Sequence, residues 1–263
     1  MKFKIIFIIF NIIIIVSFIF FFSLPLFILG VTQFATFISK YWFLLSLFIL
    51  TLFVFNLYFI TNWKFFYILE KEDWYSLVTY LETKIYKQKK ISMFHIKILL
   101  NSYLCTLNYE NIKRLENYLK NRKPKVINKF PIQFGMPYLL TDNYQDAEEF
   151  FSNLISQNKI EHSDWIHWNY GISLMKQQKF EEAKKIFLSI LTPENDIIVY
   201  LLALYMLSKI PNTDPSIIEE MKNDFSKKYS NDKIIERVEK QQNNIQIASM
   251  QDIIEKASNW LYL

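Results

Sequence analysis

The chain of 263 residues holds only three glycines, three histidines and one cysteine. Three glycines cannot build a phosphate-cradling loop such as the P-loop or the dinucleotide turn, which needs several bare backbone positions close together. The single cysteine, Cys105, allows no intramolecular disulfide and gives no positive sign of an oxidising compartment. It sits in the apolar pattern SYLCTL, where a buried thiol is expected rather than a nucleophile. His162 and His167 are five apart, so they do not share a helix face well enough to chelate a metal; with His95 they read as surface or interface residues. These shortages leave no motif for an enzyme, no metal site and no cofactor.

Charge is missing as well from two long stretches. Residues 5–29 (IIFIIFNIIIIVSFIFFFSLPLFIL) and 41–60 (YWFLLSLFILTLFVFNLYFI) contain none. A bilayer core of ~30 Å needs about twenty apolar residues in a helix, so both are transmembrane candidates. The stretch GVTQFATFISK between them is read as the turn of a hairpin outside the lipid. Tyr41 with Trp42, and Tyr58 with Trp63, fall where an aromatic belt would mark the interfaces of the second span. Asn11 and Asn56 are the polar residues of note; in an antiparallel hairpin they fall at the same end, where an amide pair between helices competes with two amides each reaching water. The spans hold no ionisable residue, hence no proton relay or ion site, and read as an anchor.

The first segment, opening with Lys2 and Lys4, also fits a signal peptide, although no convincing small-x-small cleavage site follows. Lys64, Lys71, Lys84, Lys87, Lys89 and Lys90 follow the second span, and the connecting stretch has only Lys40. That bias places the remainder in the cytoplasm of a bacterial inner-membrane protein. A periplasmic location requires one apolar segment not to cross.

The formal charge of +5 does not point to nucleic acid. Setting aside Lys2, Lys4 and Lys40 from the 30 basic residues leaves 27 against 25 acidic ones, interspersed as on solvated helix faces. The run KIYKQKK at 84–90 reads as such a face, or as a contact with anionic lipid if it lies at the membrane surface.

About two hundred residues remain for a helical domain, and almost nothing in them reads as strand. Apolar residues recur at helical spacing in Trp74, Leu77, Val78, Leu81 and Ile85, in Ile96, Leu99, Leu100, Tyr103 and Leu104, and in Ile112, Leu115 and Leu119. Asn108, Asp142, Asp164 and Asn195 are candidate helix caps, and Pro124, Pro193, Pro211 and Pro215 punctuate the chain. Two segments repeat at a spacing of 36. GMPYLLTDNYQDAEEFFSNL and GISLMKQQKFEEAKKIFLSI align Gly135, Ala147 and Phe151 with Gly171, Ala183 and Phe187. A small residue in each helix lets two antiparallel helices approach, and the aromatic is expected to fill the space toward the next pair. Pro131 and Pro137 predict a short or kinked first helix in the first copy.

This pattern resembles the tetratricopeptide-repeat (TPR) family over about a quarter of the chain. KEDWYSLVTYLETKIY is a weaker match, its first helix supplied by Trp63, Phe66 and Leu69. The resemblance implies an all-α fold: a transmembrane hairpin in 1–62, divergent helical hairpins in 63–127, two TPR-like repeats in 128–192, and capping helices with an apolar tail in 193–263. It also implies a groove lined by Lys129, Ile132, Met136, Leu139 and Leu140, then Trp165, Trp168, Ile172, Met175 and Lys176. Such a wall suits an amphipathic helix or apolar segment of a protein partner. It lacks the clustered Lys, Asn and Arg of a carboxylate clamp, although Asn169 occupies one clamp-like place. Trp165 and Trp168 are equally readable as core. The tail Trp260, Leu261, Tyr262 and Leu263 either folds back to cap the repeats or fill the groove, or is an exposed docking peptide.

The expected function is a membrane-anchored scaffold that binds and stabilises an envelope protein, with no nucleic acid and no small-molecule substrate. The alternative is a small subunit of a transport or insertion complex whose hairpin is the working part. The Ile, Phe, Lys and Asn bias is similar to AT-rich bacteria such as spirochaetes.

Overall fold

The computed structural model describes residues 2–157, 163–192, 196–241 and 245–262. These residues are all-α, with no strand among them. They form two compact units, Met1–Ile91 and Ser92–Leu263. The candidate cap Asn195, Pro193, His162 and the terminal Leu263 lie outside the described residues.

The first unit contains α1 (Lys2–Leu29), α2 (Val31–Thr61), α3 (Trp63–Glu70) and α4 (Trp74–Glu82), the last running into a π-helical stretch, Thr83–Lys87. Phe3–Ile28 and Phe34–Thr61 are long and apolar enough to cross a membrane. The expected loop GVTQFATFISK is not a loop. Gly30 alone makes the turn, at φ 81°, ψ 171°, a backbone region that a side chain would strain, and α2 begins at the next residue. The helix then kinks at Tyr41 (φ −113°, ψ 17°), the first residue of the expected second span.

α1 and α2 meet along a seam. On α1 the half-buried positions from Phe3 to Phe22 are Phe3, Phe7, Asn11, Ile14, Phe18 and Phe22, a spacing of fours and threes that keeps one stripe facing one neighbour. Aromatic rings fill most of it: Phe18 stacks on Phe48 with centroids 3.9 Å apart, and Phe7 meets Phe59 at 5.4 Å. Within it Asn56 Nδ2 donates to Asn11 Oδ1 at 2.8 Å, and each amide also donates to a carbonyl of its own helix. The amides therefore form the interhelical pair, one of the two arrangements the sequence left open.

The second unit contains α5 (Met93–Cys105), α6 (Tyr109–Lys120), a 3₁₀ turn Pro124–Lys129, α7 (Pro131–Leu140), α8 (Tyr144–Ile155), α9 (Ser163–Lys176), α10 (Phe180–Ile190), α11 (Ile197–Leu207), α12 (Pro215–Lys228), α13 (Asn231–Lys240), α14 (Ile245–Ser249) and α15 (Gln251–Tyr262). α7 is short, 10 residues against 14 in α9; Pro131 stands at its first position, where no hydrogen bond is lost, and Pro137 lies inside it. From α5 to α12 each helix packs beside the next one in the chain, the α6–α7 connection running through the 3₁₀ turn. In addition α5 meets α7, α7 meets α9, and α9 meets α11, so these four form a continuous layer.

One turn geometry recurs. Glu72, Leu107, Asp142, Gln178 and Asn212 all have φ between 53° and 62°, and they are 34 to 36 residues apart. At the first four, the left-handed residue donates its N–H to the carbonyl three back, and the next residue donates to the carbonyl five back. Gln178 bonds Met175 and Lys179 bonds Leu174, both at 3.0 Å, and the same pairing holds at Glu72, Leu107 and Asp142. This is the Schellman ending, which satisfies the last carbonyls of a helix, and the following residue at once caps the next helix. Hence the cap assigned to Asp142 belongs to Asn143, with Asp142 holding the left-handed position. Asn108 does cap α6, whereas Asp164 lies inside the first turn of α9 and accepts from the N–H groups of Trp165 and Asp196.

The two glycines define how close the hairpins come. A Cβ built on Gly135 would lie 2.2 Å from Phe151 Cζ, and one on Gly171 would lie 2.6 Å from Phe187 Cε1. Each ring therefore rests on the glycine of its own hairpin, rather than filling space toward the next pair as its sequence position suggested. Ala147, Ala183, Phe151 and Phe187 are fully buried. Glu148 joins this hairpin to the next: it accepts from Lys179 Nζ at 2.6 Å and from Gln177 Nε2 at 2.7 Å. Burial pushes its carboxyl up, but the hydrogen bonds from Lys179 and Gln177 outweigh that and hold it below the usual range.

Gly171→Ala should destabilise the full chain in detergent by about 1–3 kcal/mol, and adding Phe187→Leu should recover part of that loss in a double-mutant cycle read by urea unfolding. A second outcome follows from Glu148. A carboxyl depressed in the folded state stabilises above its unfolded pKa and ceases to as pH falls through the folded one. The melting temperature of Glu148→Gln should thus lie below wild type at neutral pH and converge with it on acidification.

Candidate functional site

Period and layer together place a groove on α7, α9 and α11. A repeat of 36 puts Met136 in register with Ile172, Leu139 with Met175 and Leu140 with Lys176, and the helices carrying them are neighbours. These residues, with Trp168 and Asn169, line a groove of about 420 Å³. Met206 of α11 extends the floor, and Gln246, Ser249, Met250 and Ile253 form the wall contributed by α14, α15 and the residue that joins them. The volume lies in the range of ligand pockets and has room for a few apolar side chains.

Seven of the ten sequence-expected lining residues are in place: Met136, Leu139, Leu140, Trp168, Ile172, Met175 and Lys176. Three are not. Ile132 and Trp165 are turned into the interior, at 8% and 4% exposure, and Lys129 is exposed at the end of the 3₁₀ turn. Ile132 and Lys129 precede Met136 by one and two turns and fall away from the groove, and Trp165 precedes Trp168 by three residues on a helix buried on most sides. Trp168 is both core and floor: at 1% exposure it packs on Phe187, with ring centroids 5.6 Å apart, while bordering the groove.

The groove has one buried polar pair. Asn169 and Gln246, at 3% and 2% exposure, meet through a hydrogen bond from Gln246 Nε2 to Asn169 Oδ1 at 3.2 Å. Asn169 occupies the clamp-like place noted in the sequence, but its acceptor is taken by this chain's own glutamine. Nothing in the local sequence pairs residues 169 and 246; the contact exists because the C-terminal helices fold back. They do so firmly. Trp260 meets the Tyr205 ring at 5.6 Å and lies under Lys222 Nζ at 5.3 Å, Tyr262 donates to the Tyr229 carbonyl at 2.5 Å, and Leu261 is buried. Residues 251–262 are accordingly a packed cap on α11–α13 and not an exposed docking peptide.

Other polar residues behave structurally. Cys105 is exposed, because the turn of α5 that buries Tyr103 and Leu104 carries the next residue outward; partial packing pushes its thiol up, away from the reactive thiolate. His167 Nδ1 lies 2.7 Å from the Ser163 carbonyl. Glu116, at 1% exposure, accepts from the Tyr138 hydroxyl at 2.8 Å and meets Lys120 Nζ at 2.7 Å. Burial, followed by the charge of Glu116, pushes the Tyr138 phenol up. No group of three metal-ligating side chains occurs among the described residues.

Fold and site thus define an all-α protein with two long apolar N-terminal helices and a helical unit carrying an apolar groove. The family described as "Uncharacterised Treponema protein" matches residues 111–263, more than half of the chain, and the chain belongs to that family. It is similar to a protein described as uncharacterized from Treponema pallidum (strain Nichols), with 21% identity over 164 residues, which cover 62% of this chain and 52% of that one. The chain therefore spans about half the length of this relative. No solved structure matches.

Because Trp168 is fully enclosed, Trp168→Ala should cost about 3–5 kcal/mol in unfolding measurements, whereas substitution of half-buried Ile172 or Met175 by Ala should cost clearly less.

Proposed function

We propose that the protein is a membrane-anchored, TPR-like scaffold whose helical hairpins form a solenoid, and that its apolar groove holds an amphipathic helix or apolar segment of a protein partner in the bacterial envelope. The observation that carries this reading is the groove itself, built from Met136, Leu139, Ile172, Met175, Met206 and Met250. Methionine is flexible and polarisable, so a wall rich in it adapts to different apolar surfaces at low cost. The turn period of 34 to 36 residues and the two glycine–aromatic hairpins support the TPR-like part. The apolar hairpin supports the anchor, since its aromatic faces outside the seam, such as Phe20, Phe21 and Phe53, are exposed in the absence of lipid.

In this reading the anchor crosses the inner membrane twice and leaves the helical unit in the cytoplasm, as the lysine distribution favours. The role is binding and not catalysis. Two features favour the helical unit over the hairpin as the working part. The hairpin pairs its own amides, Asn11 with Asn56, and the family match begins at residue 111, beyond both apolar helices.

The test is crosslinked co-purification from native membranes, comparing the full chain with an Ile172→Glu, Met175→Glu variant whose helicity and melting are checked first. Ile172 and Met175 are chosen over Trp165 and Trp168 because they line the groove without forming the core. A partner retained by wild type should fall at least tenfold in the variant. A partner that is kept by the groove variant but lost when residues 1–61 are exchanged for an unrelated anchor would overturn the groove in favour of the membrane hairpin.

A further inference from the structure

The first unit holds a second concavity, remote in character from the apolar groove. It lies between α3 and α4 and has a volume of about 640 Å³. Lys64 on α3 and Lys71 at its C-terminal cap, two turns apart, stand on the same side of that helix with Tyr67 between them and Ile68 as a buried floor. Across from them α4 presents Tyr75, Ser76 and Thr79. Lys64 has no ion-pair partner among the described residues, and Lys71 Nζ lies over the Tyr67 ring at 4.6 Å. Tyr75 is 78% exposed. The hydroxyls of Thr79 and Thr83 already donate to the carbonyls of Tyr75 and Thr79, which leaves for a ligand the two ammoniums and the phenols of the cleft, Tyr75 the most exposed of them.

One acid borders the cleft. Asp73 caps α4, its Oδ1 accepting from Ser76 N at 3.1 Å, and hydrogen bonds from Ser76 hold its carboxyl below the usual range. Two ammoniums against Asp73 in the lining, with Glu70 also acting on Lys71 from outside it, leave at most one positive charge, which matches a phosphodiester carrying one negative charge better than a doubly charged phosphate monoester.

The location decides which phosphodiester. Only Asn62 separates α3 from the end of α2. Phe66 of α3 stacks on Phe3 (4.9 Å, 16°) and on Phe59 (5.0 Å, 20°), and Trp63 meets Phe7 edge-on at 6.1 Å. Ring packing thus fastens α3 to the end of the apolar hairpin that bears the N-terminus of α1. In a bilayer that end lies at headgroup depth, where lysine and tyrosine are the favoured side chains.

We propose that the α3–α4 cleft binds the headgroup phosphate of an anionic phospholipid with a single charge, Lys64 and Lys71 pairing with the phosphodiester and Tyr75 donating to it. This rests on the reading of α1 and α2 as membrane spans. It assigns a defined lipid site to residues 64–79, distinct from the diffuse basic run at 84–90.

The test uses the full chain in nanodiscs of phosphatidylcholine containing one-fifth phosphatidylglycerol, with lipids that remain bound on release counted by native mass spectrometry. An ammonium at the surface favours anionic lipid by roughly fivefold, so wild type should retain phosphatidylglycerol over phosphatidylcholine by about that factor or more. Lys64→Gln, Lys71→Gln should bring the ratio to within twofold of the bulk composition, while Lys89→Gln, Lys90→Gln, which removes the same charge from outside the cleft, should leave it as in wild type. Equal loss in both double variants, or none in the first, overturns the site. Saturation of the cleft by inorganic phosphate in lipid-free detergent, followed by nuclear magnetic resonance, would reassign it to free phosphate and also overturn the proposal. Failure of the chain to enter nanodiscs of either composition would overturn the membrane reading itself, an outcome distinguishable from insertion without lipid preference.

Discussion

The rings of Phe151 and Phe187 lie on the bare backbones of Gly135 and Gly171, at distances where any side chain on the first helix would collide. Two helices held that close bury a strip of backbone that would otherwise need its own side-chain cover, and they fix each hairpin at one register. Ala147 and Ala183, fully buried, keep the neighbouring turn of each contact equally close. In a chain with three glycines, placing two of them here commits almost all its backbone latitude to these crossings. The left-handed turns go without, and are occupied by Glu72, Leu107, Asp142, Gln178 and Asn212 instead. Such residues are less comfortable than glycine in that region, and at the first four the Schellman hydrogen bonds offset the strain by satisfying the last carbonyls of the helix.

From this close crossing the groove follows. Once two hairpins share a register and a period, α7, α9 and α11 become neighbours, and residues 36 apart in sequence stand side by side. The apolar face of that layer is then partly closed by α14 and α15, which bring Gln246 to Asn169 and set Met250 on the same groove as Ile172. The proposed partner would enter a groove with one wall supplied from the far end of the chain. Its affinity would therefore depend on how well α15 is seated on α11, through Tyr205, Trp260 and Leu261, and not only on the lining residues.

The apolar hairpin obeys the same economy with different side chains. Rings replace glycines in the α1–α2 seam, and a single amide pair supplies its polar contact. Both helices are apolar on every side, so apolarity alone cannot say which stripe of each faces the other; the spacing of Phe3, Phe7, Asn11, Ile14, Phe18 and Phe22 does. Phe66 then carries the seam past the end of α2 into α3, which positions Lys64 and Lys71 for the proposed headgroup contact.

Much of the fold was legible in the sequence because it depends on local or periodic signals. Charge-free runs gave the two apolar helices, and the spacing of Gly135, Ala147 and Phe151 with Gly171, Ala183 and Phe187 gave two hairpins and most of the groove face. Where several residues compete for one role, sequence was less decisive: Asp142 and Asn143 both suit a cap, and only backbone geometry assigns it to Asn143. Trp165 and Trp168 both suit a groove or a core, and a difference of three residues on α9 turns one inward and leaves the other at the border. GVTQFATFISK looked like a connecting loop because it breaks the apolar run, yet its residues are adequate helix formers and one glycine suffices to reverse the chain. By itself the sequence determined helical class, the apolar hairpin and the repeat period, since these rest on composition and on intervals within a few turns. Tertiary structure alone decided that Phe151 and Phe187 rest on their own glycines, that Cys105 points outward, and that Gln246 reaches Asn169, because each depends on which of several compatible faces the remaining helices cover.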